Sequence, residues 1–419
     1  MANFTCIDSC RICGNTELVP VLSLGEQCLT GVFPASLDTP VTRGPLELVK
    51  CAGDRVCGLL QLRHTYDSCE MYGQSYGYRS SLNRSMVKHL HQKVRSLMIR
   101  TPLHPGDVVL DIGSNDGTTL SFYPESVRRI GVDPTAAKFA GYYAPGVDIV
   151  PEFFSAARFD TLFGGIKPKI ITSIAMLYDL DDPLLFAREI ESTLADDGIW
   201  HFEQSYMPMM LDTTGYDTIC HEHVEYYDLS QIQWVMERAG LRILDVELNS
   251  VNGGSFAVTA CKAGASLRHL DERVLALLGN EKARDYTTLR PFQEFATRVA
   301  KHRESLLELI ATIRFRGEAV FGYGASTKGN VILQYCGLDD QSIPCIAEVN
   351  PDKFGSFTPG TGIPIVSEAD AHAMKPDYFL AMPWHFRETI LEREADYLRE
   401  GGRLIFPLPR LEIVSTGIR

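Results

Sequence analysis

Two hydrophobic patterns alternate along residues 105–250, where short β-branched runs are followed by stretches with helical spacing. The strand-like runs are DVVLDIG, RRIGVDP, VDIVP, PKIITSI and GIWHFEQ. Strand, helix and strand in succession form βαβ units, so this pattern predicts a parallel sheet. It returns after residue 316 in EAVFGYG, PCIAEV, IPIV, DYFLAMP and RLIFPLP, which predicts a second, smaller α/β unit.

Helical stretches precede both units. Behind a predicted Ser85 cap and ahead of Pro102, apolar residues recur at helical spacing, namely Met86, Leu90, Val94, Leu97 and Met98. A second helical stretch covers residues 266–316. The first eighty-five residues are instead rich in Cys, Gly and turn formers and too poor in core residues to fold unaided. We therefore predict an α/β protein with three domains, residues 1–85, 86–250 and 251–419.

Composition and charge narrow the function classes. The 419 residues are 45% hydrophobic and 22% charged, which is typical of globular domains. Forty Lys and Arg against 53 Asp and Glu give a net charge of −13, which would repel a nucleic-acid backbone. The chain has neither a basic region followed by an apolar run at its start nor eighteen successive apolar residues, so we expect a cytoplasmic protein with no membrane segment.

The cysteines point to a metal. Seven of the eleven fall in the first seventy residues, and Cys10-x2-Cys13 is followed by Cys51 and Cys57, four thiols that can close a tetrahedron around structural zinc. The second pair is unusually wide, so Cys28 or His64 could replace Cys51. The spacing Cys6-x3-Cys10-x2-Cys13 also matches radical enzymes that cleave S-adenosylmethionine, although only five residues precede Cys6.

A glycine turn follows the strand DVVL. The turn reads Asp111-Ile112-Gly113-Ser114-Asn115-Asp116-Gly117. Asn115 occupies the position where a dinucleotide-binding fold usually has a second glycine, which favours a ligand without phosphates. The form D-I-G-x-x-x-G resembles motif I of class I S-adenosylmethionine methyltransferases. That resemblance implies that the ribose binds Asp133, with Pro134 beside it, and that Ser173 and Met176, where the strand PKIITSI ends, lie near the methionine portion.

Two histidines flank a glutamate in Cys220-His221-Glu222-His223. In an extended segment His221 and His223 face one side and Glu222 the other. Glu225 stands where a zinc protease needs its second histidine. A two-His metal site and a structural hydrogen-bonding role stay open, but we favour proton transfer, because the ordinary imidazole pKa is roughly 6.5. A base beside a methyl donor favours methylation of a carbon next to a ketone.

Motifs along nearly the whole chain carry a family resemblance. The protein resembles the sugar C-methyltransferases of antibiotic deoxysugar biosynthesis, which methylate C-3 of nucleotide-linked 4-keto-6-deoxyhexoses. The motifs are CGLLQLRH, MYGQSYGYRSSLN, VLDIGSNDGTTL, MLYDLDDP, HFEQSYMPMML, YDTICHEHVEYY, YGASTKGN, EVNPDKFGSFTPGTGIPI and MPWHFRE. The resemblance implies a small N-terminal zinc-binding domain, a central Rossmann-like class I methyltransferase domain holding S-adenosylmethionine, and a C-terminal α/β domain holding the nucleotide sugar.

The resemblance also implies roles for individual residues. His223 takes the place of the general base, with Glu222 as its polar partner. Cys220 stands where some relatives have Tyr, so Tyr76 or Tyr78 becomes the better candidate for a proton donor.

The nucleotide is expected at the second glycine turn. Its amides and lysine would hold the pyrophosphate of a thymidine diphosphate sugar at a helix N-terminus. The predicted contacts are Gly322, Gly324, Ser326 and Lys328 in the turn, Glu348 and Asn350 at the next strand end, and Arg79 from the opposite side. We expect a monomer. Two alternatives remain, an NAD-dependent sugar-nucleotide oxidoreductase and, less consistent with the charge, a zinc-ribbon nucleic-acid methyltransferase.

Overall fold

The N-terminal part of the chain is antiparallel. The structure, a computed structural model, describes residues 4–72, 77–267 and 271–416, so the predicted catalytic residue Tyr76 lies outside the described residues. The first elements are β1 (Phe4–Cys6), β2 (Leu18–Cys28), β3 (Arg43–Cys51), β4 (Leu60–Leu62), β5 (His64–Tyr66), α1 (Ser68–Met71) and α2 (Arg84–Arg100). Strands β2, β3 and β4 form one sheet, and β1 pairs with β5.

Helix α2 confirms the helical stretch predicted before Pro102. Its first amides are capped by Asn83, whose Oδ1 accepts from the N–H groups of Ser85 and Met86, so the predicted Ser85 cap is wrong. Asn83 is the better cap because it lies outside the helix in an extended conformation, whereas Ser85 is already inside it.

The central domain is built on a seven-stranded sheet. Its helices and strands in chain order, with one short strand that leaves the sheet, are β6 (Val108–Ile112), β7 (Arg128–Val132), α3 (Ala136–Phe139), β8 (Val147–Val150), α4 (Ala156–Phe163), β9 (Ile170–Ile174), α5 (Pro183–Thr193), β10 (Ile199–Ser205), α6 (Met207–Thr213), β11 (Glu225–Tyr226), α7 (Leu229–Arg238), β12 (Leu241–Asn249) and β13 (Ser255–Lys262). The order is β12-β13-β10-β9-β6-β7-β8, parallel from β10 to β8.

Strand β13 belongs to the central sheet although it lies beyond the domain boundary predicted at residue 250. It is buried and inserts antiparallel between β10 and β12, so a cut at 250 would divide the sheet. Strand β11 leaves the central domain and pairs with β4 of the N-terminal sheet, which fixes the chain just after the His-Glu-His segment to the neighbouring domain.

The C-terminal domain repeats the α/β plan. It contains α8 (Asp271–Ala283), α9 (Arg290–Phe315), β14 (Val320–Tyr323), α10 (Thr327–Cys336), β15 (Ile346–Glu348), β16 (Ile365–Ser367), α11 (Glu368–Ala373), β17 (Tyr378–Ala381), α12 (Arg387–Arg393), α13 (Ala395–Arg399), β18 (Arg403–Phe406) and β19 (Glu412–Val414). Its sheet has the order β16-β15-β14-β17-β18-β19, in which only the pairing of β18 with β19 is antiparallel.

The N-terminal sheet shares its core with the rest of the protein. Leu46, Leu48 and Leu60 are buried in one cluster with Phe292 and Phe295 of α9, which explains how a segment with few apolar residues is held in place. Among the described helices, none has the length and apolar character needed to cross a membrane.

Candidate active site at the junction of the three domains

Four cysteine thiols lie together in the N-terminal domain. The Sγ atoms of Cys10 and Cys57 are 3.4 Å apart and those of Cys13 and Cys51 are 3.6 Å apart. All four lie within 4.8 Å of one another. Sulfurs bound tetrahedrally at ~2.3 Å from zinc are separated by about 3.8 Å. The donor set therefore fits a structural zinc ion with a closed coordination shell.

The other thiol and imidazole candidates lie elsewhere. Cys28, on β2, donates its backbone N–H to Gln334 of α10 at 2.7 Å. His64, on β5, packs its ring edge-on against Phe4. Cys6 is exposed on β1, outside the thiol cluster, so the triplet required by the radical-enzyme alternative is not formed.

Polar groups around the thiols balance their charge. The side-chain amide of Asn15 donates to Cys51 Sγ at 3.3 Å, and the N–H of Leu59 donates to Cys57 Sγ at 3.4 Å. Lys50 is 1% exposed; burial lowers the pKa of its ammonium, while the charge of Asp228 and then those of the nearby thiolates oppose this lowering. Four thiolates around a divalent ion leave two excess negative charges, which such donors and a buried cation stabilise.

The first glycine turn has a rigid left-handed backbone. Gly113, Asn115 and Gly117 all have positive φ angles, 76°, 51° and 75°. The carboxylate of Asp133 accepts from the Asn115 N–H at 2.8 Å, which ties the turn to the end of β7. A Cβ at Gly117 would lie 2.6 Å from the ring of Tyr143, so only glycine fits there.

A segment of the N-terminal domain lies across this turn. Asn115 accepts from the Ser80 N–H at 2.9 Å and donates to the Tyr78 carbonyl at 3.1 Å. The Arg79 guanidinium stacks on Tyr142, 4.0 Å from the ring centroid. Arg79 was predicted to reach the nucleotide phosphates, but the structure places it and Tyr78 beside the first glycine turn.

Negative charge concentrates at the same turn. Burial raises the pKa of Asp111 to about 7, an effect to which the charges of Asp133 and Asp116 add, while the hydroxyl of Thr172 opposes it. That hydroxyl donates to Asp111 Oδ1 at 2.5 Å. Three converging carboxyl groups favour a cationic ligand, and S-adenosylmethionine carries an ammonium and a sulfonium.

The end of β9 borders the turn. A Cβ built on Gly113 would lie 3.3 Å from the Met176 side chain, so Met176 covers this glycine. Ala175, just before it, has a positive φ of 55°, a strained conformation of the kind found at ligand sites. Ser173 is fully buried and accepts from the Trp200 indole at 2.8 Å, which leaves its predicted cofactor contact without support.

His223 lies next to this strand end. Its Nδ1 is 2.9 Å from the carbonyl oxygen of Thr218, which can only accept, so Nδ1 carries the proton and Nε2 keeps a free electron pair. The ring packs 4.2 Å from that of Tyr178, two residues beyond Met176. Burial, with the charge of Lys328, lowers the pKa of His223 to about 3, so the imidazole is neutral at pH 7.

His221 points into the N-terminal domain. It is 1% exposed and packs edge-on against Tyr66, with ring centroids 4.6 Å apart. Burial lowers its pKa to about 4. The predicted catalytic role of His221 and the two-His metal site are both contradicted, because the chain turns at residues 221–222 and the two rings face different domains.

Glu222 turns toward the C-terminal domain. A Cβ at Gly31 would collide with its Oε1 and lie 3.5 Å from Thr327 Oγ1. Burial raises the pKa of Glu222 to about 7, and its charge also raises the pKa of the buried Asp179. Cys220 is completely buried and its pKa is raised by burial, so it cannot replace a tyrosine as a proton donor to substrate.

The C-terminal domain contributes a cation, Lys328, to the group of residues around His223, which we call the cleft. The Lys328 ammonium donates to the carbonyl of Asn252 at 2.6 Å, and the Trp384 indole donates to Asp217 at 2.7 Å. Burial lowers the pKa of His385, and the Lys328 charge lowers it further. Lys328 was predicted to hold pyrophosphate; its ammonium here binds the Asn252 carbonyl, and its charge adds to the lowering of the His223 pKa.

The second glycine turn is shaped mainly by packing. Gly322 lies in β14, where a Cβ would collide with Ile346, and a Cβ at Gly324 would lie 2.7 Å from Pro383. Ser326 caps α10 by accepting from the Gly329 N–H at 3.0 Å. The two glycines therefore let the turn pack closely against Ile346 and Pro383, and this packing sets its shape.

Glu348 and Lys353 hold this turn. Glu348 accepts from the Ala325 N–H at 2.8 Å and from the Asn350 N–H at 2.8 Å, an arrangement like that of Asp133 at the first turn. Lys353 donates to the Ala325 carbonyl at 2.7 Å and lies over the ring of Phe33. Lys353 therefore places a positive charge at this turn.

Sequence reasoning missed several residues of the cleft, namely Asp217, Asn252, Lys353, Trp384 and His385. The Trp-His pair was visible within MPWHFRE, a motif from which no residue was assigned. Asp217 offered a weaker signal, a carboxylate four residues before the His-Glu-His sequence.

Comparison with known proteins identifies the family. Models described as a putative zinc binding domain, a methyltransferase domain and a C-methyltransferase C-terminal domain match residues 10–72, 86–246 and 250–409. C-methyltransferase NovU of Streptomyces niveus is 32% identical over 417 residues, covering 98% of this chain and 97% of NovU. The chain belongs to this C-methyltransferase family. It is an S-adenosylmethionine-dependent enzyme, which excludes the oxidoreductase alternative.

Solved structures resemble it only distantly. The mitomycin 7-O-methyltransferase MmcR has 15% identity and a TM-score of 0.34, covering 44% of this chain and 56% of its own. The CcbJ methyltransferase from Streptomyces caelestis has 12% identity and a TM-score of 0.33, covering 42% and 90%. The family assignment rests on the domain models and on NovU.

Proposed function

We propose that this C-methyltransferase methylates C-3 of a nucleotide-linked 4-keto-deoxyhexose and that His223 removes the C-3 proton. The position of His223 carries the proposal. Its Nδ1 donates to the Thr218 carbonyl, its Nε2 has no hydrogen-bond partner among the described residues, and its ring lies beside the chain that follows β9. An imidazole that is neutral at pH 7 and held in one tautomer offers its Nε2 electron pair to accept the C-3 proton.

The carbonyl group beside C-3 makes this proton removable. When the C–H bond breaks, the proton passes to His223 Nε2 and the electron pair forms a carbon–carbon double bond, leaving an enolate oxygen. S-adenosylmethionine, when bound, supplies an electrophilic methyl group. The residues that would hold it are Asp111, Asn115 and Asp133 around the first glycine turn, with Met176 beside them.

We assign the nucleotide, a thymidine diphosphate by family resemblance, to the second glycine turn. Glu348 and the amides at the start of α10 line it, and Lys353 supplies a positive charge. The four clustered cysteines would bind zinc with a structural role, because four thiolates leave no position for substrate. We expect the enzyme to act as a monomer.

Incubation with S-adenosylmethionine and a panel of keto-sugar nucleotides tests the substrate. Mass spectrometry should find a gain of one CH2, and NMR should place the new methyl on the carbon next to the ketone. A methyl on oxygen or nitrogen, or no gain with any keto sugar, would refute the proposed substrate class.

Replacing His223 tests the base. His223→Gln should lower kcat by roughly 100-fold or more while S-adenosylmethionine binds as before, as expected for a lost general base. His221→Gln is the matched control in the same segment and should retain turnover within a few-fold. Full activity of His223→Gln would remove His223 from the mechanism.

A further inference from the structure

Lys328 is held where the central and C-terminal domains join. It lies in the first turn of α10 and is half-buried, and its Nζ donates to the Asn252 carbonyl at 2.6 Å. Asn252 has a positive φ of 54°, and a Cβ at the following Gly253 would lie 3.1 Å from the Trp384 ring. The carbonyl that receives the ammonium is thus fixed by packing as well as by hydrogen bonding.

The ammonium retains capacity to bind a ligand. In the part of the chain that the structure describes, its one hydrogen bond goes to Asn252, whereas an ammonium can donate three. Asp217 nearby accepts from the Trp384 indole, but its Oδ1 is buried without a hydrogen-bond partner among the described residues. Nδ1 of His385 is likewise buried and unpaired there. Such unpaired groups around a cation indicate a site for a polar ligand.

The charge of Lys328 reaches the base. This charge contributes to the lowered pKa values of His223 and His385. The charges of Asp217 and Cys220 in turn raise the pKa of Lys328. Helix α10 packs against the 3-10 turn Tyr216–Thr218, whose last carbonyl orients His223. Lys328 and the base therefore lie on elements that contact each other, and Lys353 supplies a cation at the glycine turn itself.

We infer that Lys328 is a catalytic residue whose ammonium pairs with the ketone oxygen of the acceptor and stabilises the enolate. This inference rests on the proposed function. As the C–H bond breaks, the proton moves to His223 Nε2, the C–H pair becomes the carbon–carbon double bond, and the carbonyl π pair moves onto the oxygen beside Lys328. A preorganised cation is well suited to stabilise this charge, and losing one such donor typically costs about 100- to 1000-fold in rate.

Proton exchange isolates this step from methyl transfer. The substrate is incubated in deuterium oxide with enzyme and S-adenosylhomocysteine, and NMR follows loss of the C-3 proton at saturating substrate. Lys328→Met should slow this exchange by roughly 100-fold or more, with thymidine diphosphate binding within about threefold of wild type. Lys328→Arg, which keeps the charge, should recover part of the rate. Lys301→Met, at an exposed site on α9, is the control for replacing a lysine by a methionine.

The outcomes separate the inference from the proposed function. Wild-type exchange rates in Lys328→Met, or weakened diphosphate binding with normal exchange at saturation, would overturn the role of Lys328 and leave the keto-sugar substrate intact. Lack of exchange and methylation in the wild-type enzyme would overturn both. If Lys328→Met fails to fold, as judged by S-adenosylhomocysteine binding, exchange in Lys328→Arg equal to that of a folded Lys328→Gln variant would also overturn it.

Discussion

Replacing His221 by Gln tests whether the first imidazole of the His-Glu-His segment is structural. In the folded protein burial lowers the pKa of His221 from 6.5 to about 4. The unfolded chain therefore binds the extra proton, and stability falls as the pH falls through 6.5 toward 4. One pKa unit corresponds to about 1.4 kcal/mol, so the full effect is about 3 kcal/mol below both values.

About 1.4 kcal/mol of this loss in the free energy of unfolding is reached near pH 5.5, one unit below the unfolded-state pKa of His221. Urea unfolding of wild type and His221→Gln at about pH 7.5 and 5.5, with zinc present, measures it. The free energy of unfolding of the wild type should drop by about 1.4 kcal/mol more than that of the variant. His91→Gln, an exposed site on α2, controls for the exchange itself. Identical pH dependence in wild type and His221→Gln would refute the buried, neutral state of His221.

Two further perturbations test the zinc site and the first glycine turn. Cys51→Ser should lose zinc and loosen residues 4–72, seen as faster hydrogen exchange. Cys28→Ser, outside the thiol cluster, should keep the zinc and the slow exchange. Lost turnover in zinc-free protein that stays folded would contradict a structural zinc. Gly117→Ala should weaken S-adenosylmethionine binding by roughly tenfold or more, because its Cβ meets Tyr143, whereas Gly164→Ala shares the positive φ, has open space and should bind as wild type. Equal affinities in calorimetry would show that the turn tolerates a side chain.

The architecture was predictable where its signals are local. The alternation of strand-like and helical runs predicted the parallel part of both sheets. The first glycine turn, with Asp133 at the next strand end, follows from residues close in sequence. The predicted boundary at residue 250 falls where the family models also divide the chain, yet β13 lies beyond it and completes the central sheet.

Side-chain directions in the cleft were harder to predict. Period-two alternation placed His221 and His223 on one face, but it holds only for extended chain, and residues 221–222 turn. Lys328 follows a glycine turn, which favoured a phosphate role; its partner Asn252 is distant in sequence and becomes adjacent only when the domains pack. Contacts between domains leave no short-range pattern in the sequence.

A crystal structure with S-adenosylhomocysteine and a thymidine diphosphate keto sugar tests the central claim most directly. We predict C-3 of the sugar within about 3.5 Å of His223 Nε2, the reach of a base in a reactive complex, with the sulfur on the opposite side of that carbon. A sugar ring bound away from His223, with the imidazole facing solvent or protein, would contradict the account.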